Sequence, residues 1–217
     1  MKSFLLQEHL AEPWEKFGFF LNHPEAEASL GQQMQQQRKY FGGQSPKNLR
    51  AVFNQLYFGR ALTLSPARTE DMMIMYEWAN DPAVRENSFS QSPIPLEVHK
   101  IWFENKIKEA GCLFLIARVR GIPAGMIRYD LKQDRGVISY LIAPAFRGKS
   151  LGTILLQKGE AQLQQLHPEI RTLIGHVQET NLASITSFRN AHYSPSATIP
   201  PFKPGAMVFE KVLRDAG

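Results

Sequence analysis

The spacing of apolar residues along the chain changes near Gly59. Residues 1–59 are rich in Gln, Leu, Phe and other helix formers, and they predict three short helices, over residues 7–20, 25–40 and 45–58. From residue 60 onward, strand-like and helix-like stretches alternate. We therefore expect a helical N-terminal region over residues 1–59 and a larger domain over residues 60–217.

Within the larger region, the order of elements is typical of a mixed sheet covered by helices, in the α+β class. The pattern predicts strands at residues 61–66, 112–119, 123–131, 137–142, 173–178 and 206–213. It predicts helices at residues 70–79, 96–109, 151–166 and 182–191. In the 151–166 segment, Leu151, Ile154 and Leu155 have the i, i+3, i+4 spacing of an amphipathic helix.

The charge balance favours an anionic partner. The chain has 25 Lys and Arg against 20 Asp and Glu, for a net charge of +5. It contains no dense basic block and no basic pattern interleaved with aromatics, which argues against nucleic acid. No apolar run is long enough for a membrane span. A phosphate-bearing small molecule fits best, although the charge can also have no specific meaning.

Cys112 is the single cysteine, so the sequence allows neither an intramolecular disulfide nor a cysteine-cluster metal site. It lies in an apolar run, where a buried structural thiol is the expected role. No spacing of His, Asp or Glu indicates a metal site. The first residues lack a signal-peptide core, and together these features predict a cytoplasmic protein.

A loop of small and basic residues connects the predicted strand 137–142 to the helix at 151–166. The first turn of a helix has backbone N–H groups without intrahelical partners, and its dipole is positive there. Small residues let a phosphate approach that backbone, so the loop is a candidate anion site. A plain strand-to-helix turn is the alternative, and the spacing matches neither a P-loop nor a dinucleotide fingerprint.

The same loop, Arg147-Gly148-Lys149-Ser150-Leu151-Gly152, resembles the pyrophosphate motif [RQ]-x-x-[GA]-x-[GA] of the GNAT superfamily of acetyltransferases. The resemblance implies the GNAT fold and acetyl-CoA as cosubstrate. It also implies that the backbone of Leu141 and Ile142 pairs with the pantetheine arm, with the Ile142 amide facing the thioester carbonyl. Arg147 and Lys149 are expected to add positive charge at the rim of the loop. The residues expected to hold acetyl-CoA are thus Leu141, Ile142, Arg147, Gly148, Lys149, Ser150, Leu151, Gly152 and Thr153. Ser150 stands where the family usually has glycine or alanine, and a positive φ there is unfavourable for serine.

A second segment, residues 181–193, resembles the later GNAT motif N-x-x-[SA]-x-x-x-[FY]-x-x-x-G-[FY]. The resemblance implies that Asn181 bonds the pantetheine arm and that Ser184 and Phe188 line the cosubstrate. Asn181 is also suited to cap the helix that follows it. His192 replaces the usual glycine of this motif.

The segment from Glu77 to Phe103 resembles a GNAT subgroup with the pattern W-x-N-x-x-x-V-R and H-x-x-W-[FL]. That subgroup acetylates nucleotide-linked amino sugars or the N-termini of ribosomal proteins. The longer pattern is closest to the sugar branch, which acts on the 4-amino group of a UDP-linked amino-dideoxy sugar. Residues 1–59 faintly resemble the end of the UDP-sugar hydrolase to which some of these enzymes are fused, and an unrelated helical cap is the alternative.

The residues suited to bind such an acceptor are Arg85, Asn87, Ser88, Gln91, His99 and Trp102. Arg85 is suited to a phosphate, and the polar side chains are suited to hydroxyls. A structural ion pair is the commoner role for Arg85, and His99 with Trp102 can equally form a packing edge.

The expected reaction is direct transfer of acetyl to a primary amine. The base candidates are Glu179, His99 and a bound water, and Tyr140 or Tyr193 can protonate the leaving thiolate. The alternatives are a ribosomal-type N-terminal acetyltransferase and a GNAT domain that binds acyl-CoA without activity. The expected partner is a small-molecule amine, with neither nucleic acid nor membrane, and the sequence leaves a homodimer open.

Overall fold

The computed structural model describes Asn54, residues 58–201 and residues 203–213. The three predicted N-terminal helices lie almost entirely outside the described residues. The division at residue 59 therefore remains a prediction.

The described chain contains seven strands, five α-helices and two short 3₁₀ turns, at Thr69–Asp71 and Pro144–Phe146. The strands are β1 Leu62–Pro66, β2 Cys112–Val119, β3 Ile122–Lys132, β4 Arg135–Ile142, β5 Thr172–Gln178, β6 Ser194–Pro195 and β7 Ala206–Val212. The helices are α1 Met72–Ala79, α2 Pro82–Glu86, α3 Leu96–Lys106, α4 Leu151–Leu166 and α5 Leu182–Asn190. This arrangement confirms the predicted mixed fold.

The seven strands form one sheet in the order β1-β2-β3-β4-β5-β7-β6. Every neighbouring pair is antiparallel except β4 and β5, which run parallel because α4 connects them. The parallel register extends only from Arg135↔Thr172 to Ile138↔Gly175. Beyond that point the two strands separate, so the sheet opens at the end of β4.

Helix α4 packs its apolar face into the core. Leu151, Ile154, Leu155 and Leu163 are each at most 2% exposed. Gly159 lets this helix approach the sheet closely, since a Cβ there would lie 2.5 Å from the Tyr129 hydroxyl. The close fit fixes the position of the α4 N-terminus relative to β4.

Three predicted features needed correction. Helix α2 was not predicted between the helices at residues 70–79 and 96–109. Asp81 caps it by accepting from the Val84 N–H at 3.2 Å. Helix α3 ends at Lys106 rather than residue 109, because residues 107–111 form a turn into β2. Strand β4 begins two residues early, at Arg135.

Among the described residues, no helix is long and apolar enough to cross a membrane.

Candidate active site

The open end of β4 is the centre of the site. Strand β4 bonds to β3 along its whole length, including Met126↔Leu141 and Gly125↔Ile142. On its other side, residues 139–142 have no register partner in β5. The backbone of Leu141 and Ile142 is therefore free of β5, as a ligand arm lying between the two strands requires.

The loop before α4 has two residues with positive φ. Gly148 has a φ of 72°, and Ser150, the N-cap of α4, has a φ of 60° and a ψ of 14°. The Ser150 side chain makes no capping hydrogen bond to the helix. Serine thus adopts here the left-handed conformation that favours glycine, which normally costs about 1–2 kcal/mol. The arrangement leaves the first turn of a 16-residue helix available to an anion.

The two basic side chains of this loop contact the protein rather than pointing away from it. Arg147 Nη2 lies 2.7 Å from Asp81 Oδ1, and its Nε donates to the Ile142 carbonyl at 3.2 Å. Lys149 Nζ donates to the Ala145 carbonyl at 3.1 Å. Arg147 therefore joins the end of β4 to helix α2, a role that the sequence did not predict.

Burial alone would raise the pKa of the Asp81 carboxyl. The hydrogen bond and positive charge of Arg147, with the backbone N–H groups of Val84 and Ala83, instead hold that pKa below its ordinary value of 3.8. Asp81 is therefore ionised at neutral pH and paired with Arg147.

Helix α5 begins beside the open end of β4. The Asn181 side chain accepts from the Ser184 N–H at 3.0 Å, which confirms its predicted capping role. The Tyr140 hydroxyl donates to Ser184 Oγ at 3.1 Å. Phe188 is only 2% exposed and packs under the ring of Tyr140, with their centroids 5.8 Å apart. Phe188 thus supports the site from the core, while Tyr140 and Ser184 lie closer to its surface.

A cavity of about 460 Å³ lies next to these residues, between helices α1 to α3 and the end of β4. This volume is within the usual range for small-molecule sites. Its polar wall residues are Arg85, Ser88, His99, Ser139 and Tyr140. Its apolar wall residues are Met75, Ala79, Val84, Ile94, Val98, Trp102, Met126 and Leu141. The structure thus brings four of the predicted acceptor residues to one cavity with Tyr140 and Leu141.

Arg85 organises one wall of this cavity. Its Nη1 donates to the Ser90 carbonyl at 3.0 Å, and its Nη2 donates to Ser88 Oγ at 3.1 Å. Its Nε is buried and has no hydrogen-bond partner. Burial lowers the pKa of the guanidinium, yet no carboxylate pairs with it among the described residues. The terminal nitrogens hold the loop, so the phosphate fork expected from the sequence is not free in this conformation.

His99 and Trp102 form the α3 side of the cavity. The His99 ring lies 5.3 Å from the Trp102 ring and 5.6 Å from the Tyr76 ring, centroid to centroid. His99 is 1% exposed, and its Nε2 is buried without a hydrogen-bond partner. Burial lowers the pKa of its imidazole below the ordinary 6.5. The two residues therefore pack together and also face the cavity.

The remaining predicted residues lie elsewhere. Glu179 is exposed after β5, and it is not in the cavity wall. Tyr193 is 3% exposed, and its hydroxyl lies 3.2 Å from Glu160, in a half-buried cluster with Lys211. Burial and the nearby Tyr129 and Glu160 raise the pKa of Tyr193 far above its ordinary value. Neither residue shares the cavity wall with Tyr140.

The side chains of Asn87 and Gln91 also form hydrogen bonds with nearby backbone carbonyls. The Asn87 side chain donates to the Ala83 carbonyl at 2.8 Å, and the Gln91 side chain donates to the Glu86 carbonyl at 3.1 Å. Both bonds stabilise the end of α2 and the loop that follows it.

Leu151 is buried in the core, and Gly152 and Thr153 are buried in the first turns of α4.

Burial raises the pKa of the Cys112 thiol to about 11, which keeps it protonated at neutral pH. This is the environment expected of a structural thiol rather than a nucleophile.

Sequence analysis missed Gln178, the last residue of β5. Its Nε2 donates to the Ser88 carbonyl at 2.6 Å, so it holds the Arg85 loop from the other side of the opening. The one sequence signal that could have indicated a role for Gln178 is its position at the end of the predicted strand 173–178.

Comparison with known proteins identifies the family of this domain. The family described as "Acetyltransferase (GNAT) domain" matches residues 61–194, more than half of the chain. No relative was found among curated proteins.

Several solved structures share the fold. A ribosomal L7/L12 alpha-N-protein acetyltransferase in complex with coenzyme A is 14% identical, with a TM-score of 0.61 over 70% of this chain and 94% of that one. Spermidine N-acetyltransferase from Vibrio cholerae, in complex with CoA and spermine, is 12% identical, with a TM-score of 0.62 over 70% and 96%. An aminoglycoside acetyltransferase in complex with coenzyme A and kanamycin is 18% identical, with a TM-score of 0.59 over 70% and 94%.

The family match covers both sequence motifs, the open end of β4 and the N-terminus of α4. It confirms the predicted fold and the predicted enzyme class. Several of the solved structures with this fold hold CoA or acetyl-CoA, the cosubstrate that the sequence predicts. The chain belongs to the GNAT family of acetyltransferases.

Proposed function

We propose that this enzyme transfers acetyl from acetyl-CoA to the amino group of a nucleotide-linked amino sugar, with the 4-amino group of a UDP-linked amino-dideoxy sugar as the leading candidate. The acceptor enters the cavity between α1 to α3 and β4. Acetyl-CoA lies along the open edge of β4, with its pyrophosphate at the N-terminus of α4.

The residues present fit acetyl-CoA. Gly148 has open space where a Cβ would stand, and Ser150 keeps the left-handed turn that presents the first N–H groups of α4. The free backbone of Leu141 and Ile142 is suited to pair with an amide-containing arm. The N–H of Ile142 bonds into neither strand β5 nor a side chain among the described residues, which suits it to polarise the thioester carbonyl.

The observation that carries the acceptor proposal is the charge of the cavity wall. It contains the half-buried cation Arg85 and no carboxylate among the described residues. A polycationic acceptor such as spermine would meet an uncompensated positive charge there. An acceptor with one amine and an anionic group elsewhere is better matched, because its anion offsets the charge of Arg85.

The leaving thiolate needs a proton, and Tyr140 is our candidate donor. Burial raises the pKa of its phenol, partly offset by hydrogen bonding to Ser184 and Ser187, so it stays protonated at neutral pH. Its position on β4, in the wall of the cavity and beside Ser184, suits this role better than the position of Tyr193.

The test is mass spectrometry of the products formed with acetyl-CoA and a panel of amines at equal concentration. The panel holds a UDP-4-amino sugar, an N-terminal peptide of a ribosomal protein and spermidine. We expect a mass gain of one acetyl group on the sugar nucleotide. Acetylation of the peptide alone would instead assign the enzyme to the ribosomal N-terminal class.

A further inference from the structure

We propose that His99 is the general base that takes the proton from the acceptor amine. This inference rests on the proposed acetyl transfer in the α1–α3 cavity, but it does not depend on which amine is the acceptor. Its basis is the position of a buried imidazole, with an unpartnered nitrogen, in the wall of the cavity that ends at β4.

The other titratable groups of that wall cannot accept a proton at neutral pH. Arg85 is a permanent cation. Burial raises the pKa of Tyr140, which keeps it a phenol. Tyr76 packs edge-on against the His99 ring from α1 and does not line the cavity. No carboxylate lines the cavity among the described residues, so His99 is the one neutral base in the wall.

The surroundings of His99 keep it in the neutral form. Its neighbours on α3 are the rings of Trp102 and Phe103, with Tyr76 across from them. Arg85 lines the same cavity and also opposes a second positive charge. Desolvation by these groups lowers the pKa of the imidazole below 6.5, so the base form prevails at pH 7.

A buried nitrogen without a partner is costly unless a ligand completes its bonding. An ammonium group entering the cavity offers the N–H donor that Nε2 lacks. Glu179, the alternative base from the sequence, is exposed and lies outside this wall. A general base must come within hydrogen-bond reach of the amine, and His99 is the candidate whose imidazole lines the cavity that the amine would enter.

The step balances as follows. Neutral His99 takes one proton from the ammonium, and the freed lone pair on nitrogen forms the C–N bond to the acetyl carbon. The C–S bond breaks, and its electron pair stays on the sulfur of CoA. The second nitrogen proton ends on that sulfur by way of Tyr140, giving the amide and the CoA thiol. His99 releases its proton to solvent.

The experiment measures kcat/KM against pH for the wild type and for His99→Gln, with whichever panel amine is turned over. For the wild type we expect an acidic limb set by a group with a pKa below 6.5. For His99→Gln we expect about a 100-fold loss at pH 7. Its rate should then rise with pH as the free amine forms in solution, because only amine that is already deprotonated can react.

Two further variants separate chemistry from packing. His99→Ala should regain activity when imidazole is added, since the base can then be supplied from solution. His167→Gln is the matched control, because His167 lies outside the cavity and pairs with Glu169 at 3.0 Å; its profile should equal that of the wild type. Calorimetric binding of acetyl-CoA should be the same in all four proteins.

A His99→Gln enzyme that keeps its activity, or that loses it with an unchanged pH profile and no imidazole rescue, overturns the assignment. Turnover of a peptide instead of the sugar overturns the proposed acceptor, while the His99 test proceeds on that peptide. If no amine is acetylated, both the proposed function and the role of His99 are wrong.

Discussion

The proposed cosubstrate side and the proposed acceptor side of this site meet at the end of β4, but different parts of the chain build them. The cosubstrate side consists mainly of backbone, from the free edge of Leu141 and Ile142 and the first turn of α4. The acceptor side consists of side chains from three helices, chiefly Arg85, His99 and Trp102. The first side needs small residues and a particular backbone shape, whereas the second needs particular functional groups.

We therefore expect the two sides to differ in the substitutions that they tolerate. A backbone site accepts Ser150 in place of glycine because the left-handed turn is kept. His192 has a φ of 66°, so the second departure from the family motif also keeps the conformation that glycine would provide. On the acceptor side, by contrast, Arg85 contributes a charge and His99 and Trp102 contribute rings, which no backbone conformation replaces.

The largest effect on the cosubstrate side is expected from Gly152→Glu. A Cβ at Gly152 would lie 2.6 Å from Ser187 Oγ, and a carboxylate there would repel the pyrophosphate. We expect no measurable acetyl-CoA binding by calorimetry. Gly152→Gln is the isosteric control, which adds the same bulk without charge and should retain weak binding if it folds, as checked by circular dichroism. Equal loss in both variants would mean that displacement of α5, rather than charge at the helix N-terminus, removes binding.

On the acceptor side, Arg85→Ala should raise the acceptor KM roughly ten- to a hundredfold, as expected for loss of a charge-assisted interaction. Acetyl-CoA binding should change little. Arg85 holds the loop through Ser88 Oγ and the Ser90 carbonyl, and Gln178 holds the same loop through the Ser88 carbonyl. Gln178→Ala is therefore the matched control, because it loosens this loop but keeps the charge of the cavity. Steady-state kinetics of both variants decide the point: equal rises in KM would show that Arg85 acts only by holding the loop.

Breaking the ion pair between Asp81 and Arg147, which connects the two sides, should have a smaller effect. Asp81→Asn keeps an effective N-cap for α2 but removes the ion pair with Arg147. Because Arg147 is 34% exposed and screened by solvent, we expect a loss of at most about 1 kcal/mol in the free energy of unfolding at pH 7.

The pH dependence of that difference follows from the lowered pKa of Asp81. The pKa of Asp81 is lower in the folded protein than in the unfolded chain, so the ionised carboxylate stabilises the fold at pH values above the unfolded-state pKa of 3.8. This stabilisation is lost as the pH falls through the folded-state pKa, which lies below 3.8. Denaturant unfolding of the wild type and of Asp81→Asn should therefore converge below pH 3.8. A difference that persists at lower pH would contradict the ion pair as its source.

The smallest effect is expected at Ser150. Ser150→Gly relieves the left-handed strain but adds chain entropy to the unfolded state, for a net gain of about 0.5 kcal/mol. This corresponds to a rise in melting temperature of roughly 1–2 °C. Ser150→Ala keeps the strain and should give no gain in a thermal melt; an equal rise in both variants would show that the φ of Ser150 is not the cause.

The sequence predicted the helices around the end of β4 well because their signals are local. Helix α4 begins and ends at the predicted residues, and Asn181 caps α5 as expected. Small residues before an amphipathic helix are visible in a linear sequence, since neighbouring positions form one turn.

The acceptor side could be predicted only in part, because its contacts join distant segments. Arg147 meets Asp81, and Gln178 meets Ser88, across 66 and 90 residues of chain. The sequence identified Arg85 and His99 as residue types suited to a ligand. It could not show that the terminal nitrogens of Arg85 hold the loop, or that Nε2 of His99 is buried without a partner.

The most direct test of this account compares kcat/KM for a UDP-linked 4-amino sugar with that for the same amino sugar without its nucleotide. We expect the wild type to prefer the nucleotide-linked sugar, because the anionic nucleotide is attracted to the positive charge of Arg85 in the cavity wall. This preference should shrink in Arg85→Ala. Equal kcat/KM for the two sugars, or a preference that Arg85→Ala leaves intact, would contradict an acceptor site built for an anion.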